Sequence, residues 1–213
     1  MISTATMSIT SNTNDFSHRR RRESGFSLVE VMISAVILTI GLLGVLGVFG
    51  VAIAANQSSQ QDMIARQVAS EAMESIFDAR NTSQLTWSQI ANTTALPPGI
   101  FVAGAQPLKC AGADGILGTA DDTTCLTATG AVCPNGGVQC LTEPGPDGVV
   151  GTADDAILSL SNYTRTIAIA PQLDGNGNII PTLNSVTITI TYNVPNSSFL
   201  KTYVLNELIS SYH

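Results

Sequence analysis

At 213 residues with 44% apolar side chains, the chain has room for one domain and an accessory segment with a sizeable core. The formal charge of -7 hides an asymmetry, because four of the nine basic residues are Arg19 to Arg22 and only Arg66, Arg80, Lys109, Arg165 and Lys201 follow them. No basic patch lies beyond that cluster, so direct nucleic-acid binding is set aside as a primary function.

The first 25 residues are polar and end in RRRRESG, and Phe26 opens a different chemistry. After Glu30, Val31 to Ala55 carries no ionisable side chain over twenty-five residues. That length suffices to cross a hydrocarbon layer of about 30 Å. The arginines before it predict an orientation with the C-terminal part sent outward across the membrane. A secretory signal shares the basic flank, and Ala52 to Ala55 could pass as its cleavage site, but its apolar stretch is shorter and does not start beside a glutamate. An uncleaved anchor explains the length and leaves Gly25 and Glu30 without a role.

Glu30 is the unusual residue, a carboxylate at the rim of an apolar helix where an unpaired charge is costly. The run Gly25-Phe26-Ser27-Leu28-Val29-Glu30 resembles the processing site of type IV prepilins and of the related pseudopilins of type II secretion. The resemblance implies cutting after Gly25 by a membrane peptidase that also methylates the new N-terminus, Phe26. It further implies that Glu30 meets the N-terminal ammonium of a neighbouring subunit during assembly with other pilins. The run ILTIGLLG is similar to minor pilins of the PilV type in particular. Localisation follows as an expectation: inner membrane, single-pass, with a periplasmic head that reaches the cell surface in a pilus. Gly41, Gly44, Gly47 and Gly50 recur every third residue, which suits either close helix packing in a filament core or a segment that loosens on leaving the bilayer.

Gln57 to Asn81 continues without Pro or Gly, with Met63 or Ile64, Gln67 or Val68, Ala72, Ile76 and Phe77 at helical spacing. This predicts an amphipathic extension of the same helix. Asp62, Arg66, Glu71, Glu74 and Asp78 are expected on its solvated side.

Residues 82 to 162 read as a loop-rich region. Cys110, Cys125, Cys133 and Cys140 lie there without the paired C-x-x-C spacing of zinc sites, and predict two disulfides with the pairing open. The same region holds a duplication: Asp114-Gly-Ile-Leu-Gly-Thr-Ala-Asp-Asp and Asp147-Gly-Val-Val-Gly-Thr-Ala-Asp-Asp, thirty-three residues apart. Asp114, Asp121 and Asp122, and likewise Asp147, Asp154 and Asp155, are candidate Ca²⁺ ligands. The same residues also favour tight turns without any ion, and the aspartates are expected to be solvent-exposed with ordinary acidity.

Three strands follow, Tyr163 to Ala170, Val186 to Asn193 and Phe199 to Ile209. In the second, Val186, Ile188, Ile190 and Tyr192 share one face and Thr187, Thr189 and Thr191 the other. Asp174-Gly-Asn-Gly-Asn reads as a hairpin turn, since the twelfth position of an EF-hand loop here is Ser185. Pro195-Asn-Ser is expected to make the next turn. His18 and His213 are the two histidines; with no internal one in the head and no phosphate loop, an enzyme is not expected.

The expected fold is α+β: a leader (1–25), a membrane or filament-core helix (26–55), its amphipathic extension (56–81), a variable region (82–162) and an antiparallel meander (163–213) covered by the helix. Residues 26 to 80 would make a rod of roughly 80 Å if unbroken. The reading favours a minor pilin. The alternatives are a type II secretion pseudopilin and a membrane-anchored calcium-binding, adhesin-like domain that is not assembled.

Overall fold

The computed structural model describes Gly25, residues 27–193 and residues 199–212. Most of the leader, Phe26, the Pro195 turn and both histidines therefore lie outside the described residues. Residues up to Val51 form one compact unit and Ala52–His213 another.

Helix α1 runs from Leu28 to Asn81 as one element of 54 residues. Its C-terminal half covers a four-stranded antiparallel sheet in the order β1-β4-β5-β6, from β1 (Gln106–Pro107), β4 (Tyr163–Leu173), β5 (Ile179–Asn193) and β6 (Leu200–Ser210). A separate hairpin pairs β2 (Cys140–Glu143) with β3 (Ala156–Ser159). The protein is thus a long N-terminal apolar helix packed on an antiparallel sheet, a pilin-like α+β arrangement with two disulfides.

The helix buries Ile64, Ala65, Val68, Ala69, Ala72, Met73, Ile76 and Ala79. Alanines at four of these eight positions let the backbone lie close to the sheet, while Met63 and Gln67 face solvent. The period-2 strand supplies the other wall: Val186, Ile188, Ile190 and Tyr192 are buried, and the threonines take the opposite face. The inward set of β4 is Tyr163, Arg165, Ile167 and Ile169.

Strands β4 and β5 reach further toward their turn than their hydrophobic pattern foretells, because the turn is tight. Asp174 Oδ1 accepts the N–H groups of Asn176 (2.9 Å) and Asn178 (2.8 Å), so the strands can pair up to Leu173 and Ile179. The two edges of the sheet differ. Along β4 the short strand β1 pairs with Thr164 and Arg165, and Asn92 continues the cover. Its side-chain amide donates to Ile167 O and accepts from Ile169 N, both at 2.8 Å, standing in for a strand's peptide group. Along β6 the outer edge has no strand partner among the described residues.

Candidate functional site

The N-terminal site begins with Gly25, exposed and outside any regular element. The carbonyl of Ser27 opens α1 by accepting from the N–H of Glu30 (3.0 Å) and of Val31 (3.2 Å). Glu30 therefore sits in the first turn, where backbone N–H groups and the helix dipole favour an anion. Beyond it the side-chain hydroxyls are satisfied within the helix, Ser34 Oγ donating to Glu30 O and Thr39 Oγ1 to Val36 O. The remaining side chains are apolar and uncovered, Leu28, Ile33, Leu43, Phe49 and Ile53 among them. An 18-residue window there has a mean hydropathy of 2.7 and no buried residue. Exposing so much apolar surface to water is unfavourable at ~25 cal/mol per Å², so this segment requires a non-aqueous or protein surround. Around Gly41, Gly44, Gly47 and Gly50 an added Cβ would meet nothing within 4 Å, leaving room for another backbone to approach.

In the head, the duplicated sequence is also a duplicated structure. Asp114 Oδ1 accepts Ile116 N at 2.8 Å, as Asp147 Oδ1 accepts Val149 N at 2.9 Å. Asp121 Oδ2 accepts the N–H of Asp114, and Asp154 Oδ2 that of Asp147. Thr119 and Thr152 each donate a hydroxyl to the following repeat aspartate, Asp121 or Asp154, at 2.6 Å. Asp122 closes on Gly118 N at 2.9 Å and Asp155 on Gly151 N at 2.6 Å. The module starts two residues earlier than the first repeated aspartate. At Gly112 and Gly145 an added Cβ would lie 2.2 Å from an oxygen of Asp121 or Asp154, so only glycine fits. Aligning the copies outward from D-G exposes this G-x-D-G start in the sequence itself.

As folded, these aspartates act as acceptors that close turns, and among the described residues no three His, Cys, Asp or Glu side chains are gathered as a metal cage. Asp121, Asp147 and Asp154 are exposed as expected; the expectation of ordinary acidity needs correction. Asp121 and Asp154 are held below the usual carboxylate range, chiefly by the threonine hydroxyl each accepts. Burial instead pushes Asp122 up, against the opposing pull of its backbone hydrogen bonds and of Arg165.

A carboxylate with a lowered folded-state pKa contributes stability that is present above its unfolded value and lost as pH falls through the folded one. Acid below the ordinary Asp value near 3.9 is therefore expected to loosen both loops. Amide exchange at Asp114 and Asp147, whose N–H groups donate to Asp121 and Asp154, followed from pH 6 to pH 2 checks this; protection independent of pH at both would contradict it.

The two copies differ in what they touch. In the first, Ile116 and Leu117 are 1% and 4% exposed and join the core, whereas Val149 and Val150 of the second are 55% and 54% exposed. Leu117 N donates to Ser75 Oγ on α1, and Gly118 lies on Ile167 with φ +85°, where a side chain would collide. Asp122 faces Arg165 Nη2 at 3.6 Å, and Arg165 is 2% exposed. Its inward position was visible in the sequence, since it shares parity with Tyr163 and Ile167 on β4.

The disulfides are Cys110–Cys125 and Cys133–Cys140. They bracket the first copy's surroundings and leave residues 145–155 outside both rings. The helix's supposedly solvated side also carries more than solvent. Asp62 accepts from Tyr192 Oη and pairs with Lys201 at 3.1 Å, Arg66 lies over the Tyr203 ring, and Glu71 accepts from Gln139. Asp62 is lowered mainly by the Tyr192 hydrogen bond; Tyr163, stacked on Tyr192 with ring centroids 5.0 Å apart, is pushed up to about 12 by burial.

A helix with an uncovered apolar half and a sheet-packed half defines the architectural class, one built to insert and to carry a head. Residues 20–46 match the prokaryotic N-terminal methylation motif, the type IV prepilin signature. That motif marks structural subunits rather than catalysts. No curated protein and no solved structure shows significant similarity to the chain.

Proposed function

We propose that the chain is a minor pilin or prepilin-type subunit, cut after Gly25, methylated on Phe26 and assembled through α1 with other pilins. The carrying observation is the methylation motif over residues 20–46, which from Leu28 runs into a helix whose apolar segment is wholly uncovered. In this reading the prepilin peptidase acts on the inner membrane, and the arginine cluster keeps the leader cytoplasmic while the head faces the periplasm. After assembly, neighbouring helices replace lipid around the Gly41 to Gly50 stripe, and the head is displayed on the filament. The same motif is compatible with a type II secretion pseudopilin, which differs in the machine it joins.

The deciding experiment is mass spectrometry of the mature N-terminus in the native host. A chain starting at N-methylated Phe26 is expected, whereas one starting at Met1 or Asn56 would remove the proposal. The acidic loops serve as turn braces within the head. Their calcium alternative predicts a head more stable with Ca²⁺ than with chelator, by ~2.7 kcal/mol at a hundredfold excess over Kd, and hence a higher melting temperature; matched curves are expected if the braces act alone.

A further inference from the structure

The open edge of β6 carries its own complement. One face of the strand shows Leu200, Val204 and Leu208, all more than half exposed beside the threonine-rich outer face of β5. Its two charged residues, Lys201 and Glu207, share the other face, opposite Tyr192 and Val186 in the register with β5; the Lys201 ammonium already bonds Asp62 and Ser58 of its own chain and offers its third donor to a further carboxylate. Set against a second copy antiparallel and centred on Val204, Lys201 falls opposite the partner's Glu207 and Leu200 opposite the partner's Leu208. Val204 then meets the partner's Val204. Shifting the register by one pair in either direction sets Lys201 against an apolar side chain, and a parallel in-register pairing sets lysine on lysine.

We infer that β6 is a self-complementary docking edge through which two copies of this chain join their sheets. Unpaired strand edges of this length are templates for strand addition. The pairing closes on itself, because the far edge of each sheet is already covered by β1 and Asn92. Direction adds a constraint. Lys201 Nζ lies 2.7 Å from Ser58 Oγ and Arg80 Nη1 lies 2.8 Å from Ser210 O, so β6 runs the same way as the head part of α1. In the pair those two helix segments are antiparallel.

The full chain in detergent carrying Val204→Cys tests the register, since among the described residues no native cysteine is free. Mild oxidation is expected to double its mass through a symmetric disulfide. Leu200→Cys alone stays single, while an equimolar mixture of Leu200→Cys and Leu208→Cys cross-links. A Val204→Cys protein that remains single, or a Leu200→Cys protein that links as readily, overturns the proposal. Val204→Lys changes an exposed side chain, places like charges opposite each other, and is expected to abolish the non-covalent pair while the melting temperature is kept. Retained pairing in that variant overturns the proposal as well.

Discussion

Replacing Glu30 with alanine is expected to leave the protein in the membrane and out of the filament. Glu30 lies in the first turn of α1, directly before twenty-five residues without an ionisable side chain. A carboxylate carried into apolar surroundings costs ~2.5–3.5 kcal/mol at a helix centre; the first-turn N–H groups offset part of that for Glu30, and a cationic partner offsets more. In the proposed assembly that partner is the N-terminal amine of the neighbouring subunit. Loss of the pair removes an interaction of a few kcal/mol, and ~1.4 kcal/mol is a factor of ten in an equilibrium. The ratio of protein in sheared filaments to protein in membranes should therefore fall by about tenfold or more. Glu30→Gln keeps the size and the hydrogen-bonding capacity and should fail as well, which separates charge from shape. An unchanged ratio in both variants would sink this account of assembly.

The second large effect concerns stability and exploits the duplication. Asp122 and Asp155 hold equivalent places in the two copies, each accepting the N–H of a turn glycine. Asp122 additionally faces Arg165, which is 2% exposed and whose Nη1 has no hydrogen-bond partner among the described residues. Asp122→Ala strands that guanidinium in the core, and breaking such a pair on one side costs ~3–5 kcal/mol. Asp155→Ala removes the turn hydrogen bonds from Gly145 N, Gly151 N and Thr152 near the surface, where water replaces the lost acceptor and no buried charge is stranded, so the net cost is on the order of 1 kcal/mol. Chemical denaturation of the two variants should therefore give midpoints well apart, with Asp122→Ala the lower. Equal midpoints would mean that the buried contact contributes nothing beyond the turn. Asp122→Ala combined with Arg165→Met should recover part of the loss, because a buried charge without a partner is worse than an apolar side chain of similar volume.

The architecture was legible where physics acts locally. Helical spacing from Met63 to Phe77 and the strict alternation of Val186 to Tyr192 each follow from one face being buried, and both faces lie where the spacing puts them. The cysteines predicted two disulfides, but which cysteine meets which depends on the path of the chain between them. The region from 82 to 162 was the least readable. Ile116 and Leu117 enter the core while the near-identical Val149 and Val150 do not, and no local property of the two nine-residue copies separates them. What separates them is Ser75, Ile167 and Arg165, all remote in sequence. Asn92 is similarly silent, since an asparagine in a polar run gives no sign that it will cap a sheet edge seventy-five residues away. For the candidate site, the methylation motif was readable because it depends on residue order, whereas the raised pKa of Asp122 arises from burial that only folding creates.

The second loop has a practical consequence. It hangs from the β2–β3 hairpin, stands outside both disulfide rings and contributes neither Val149 nor Val150 to the interior. A short peptide tag spliced between those two valines has nothing to unthread and no cystine to misdirect. It offers a handle for labelling the protein while the rest of the molecule stays as it is.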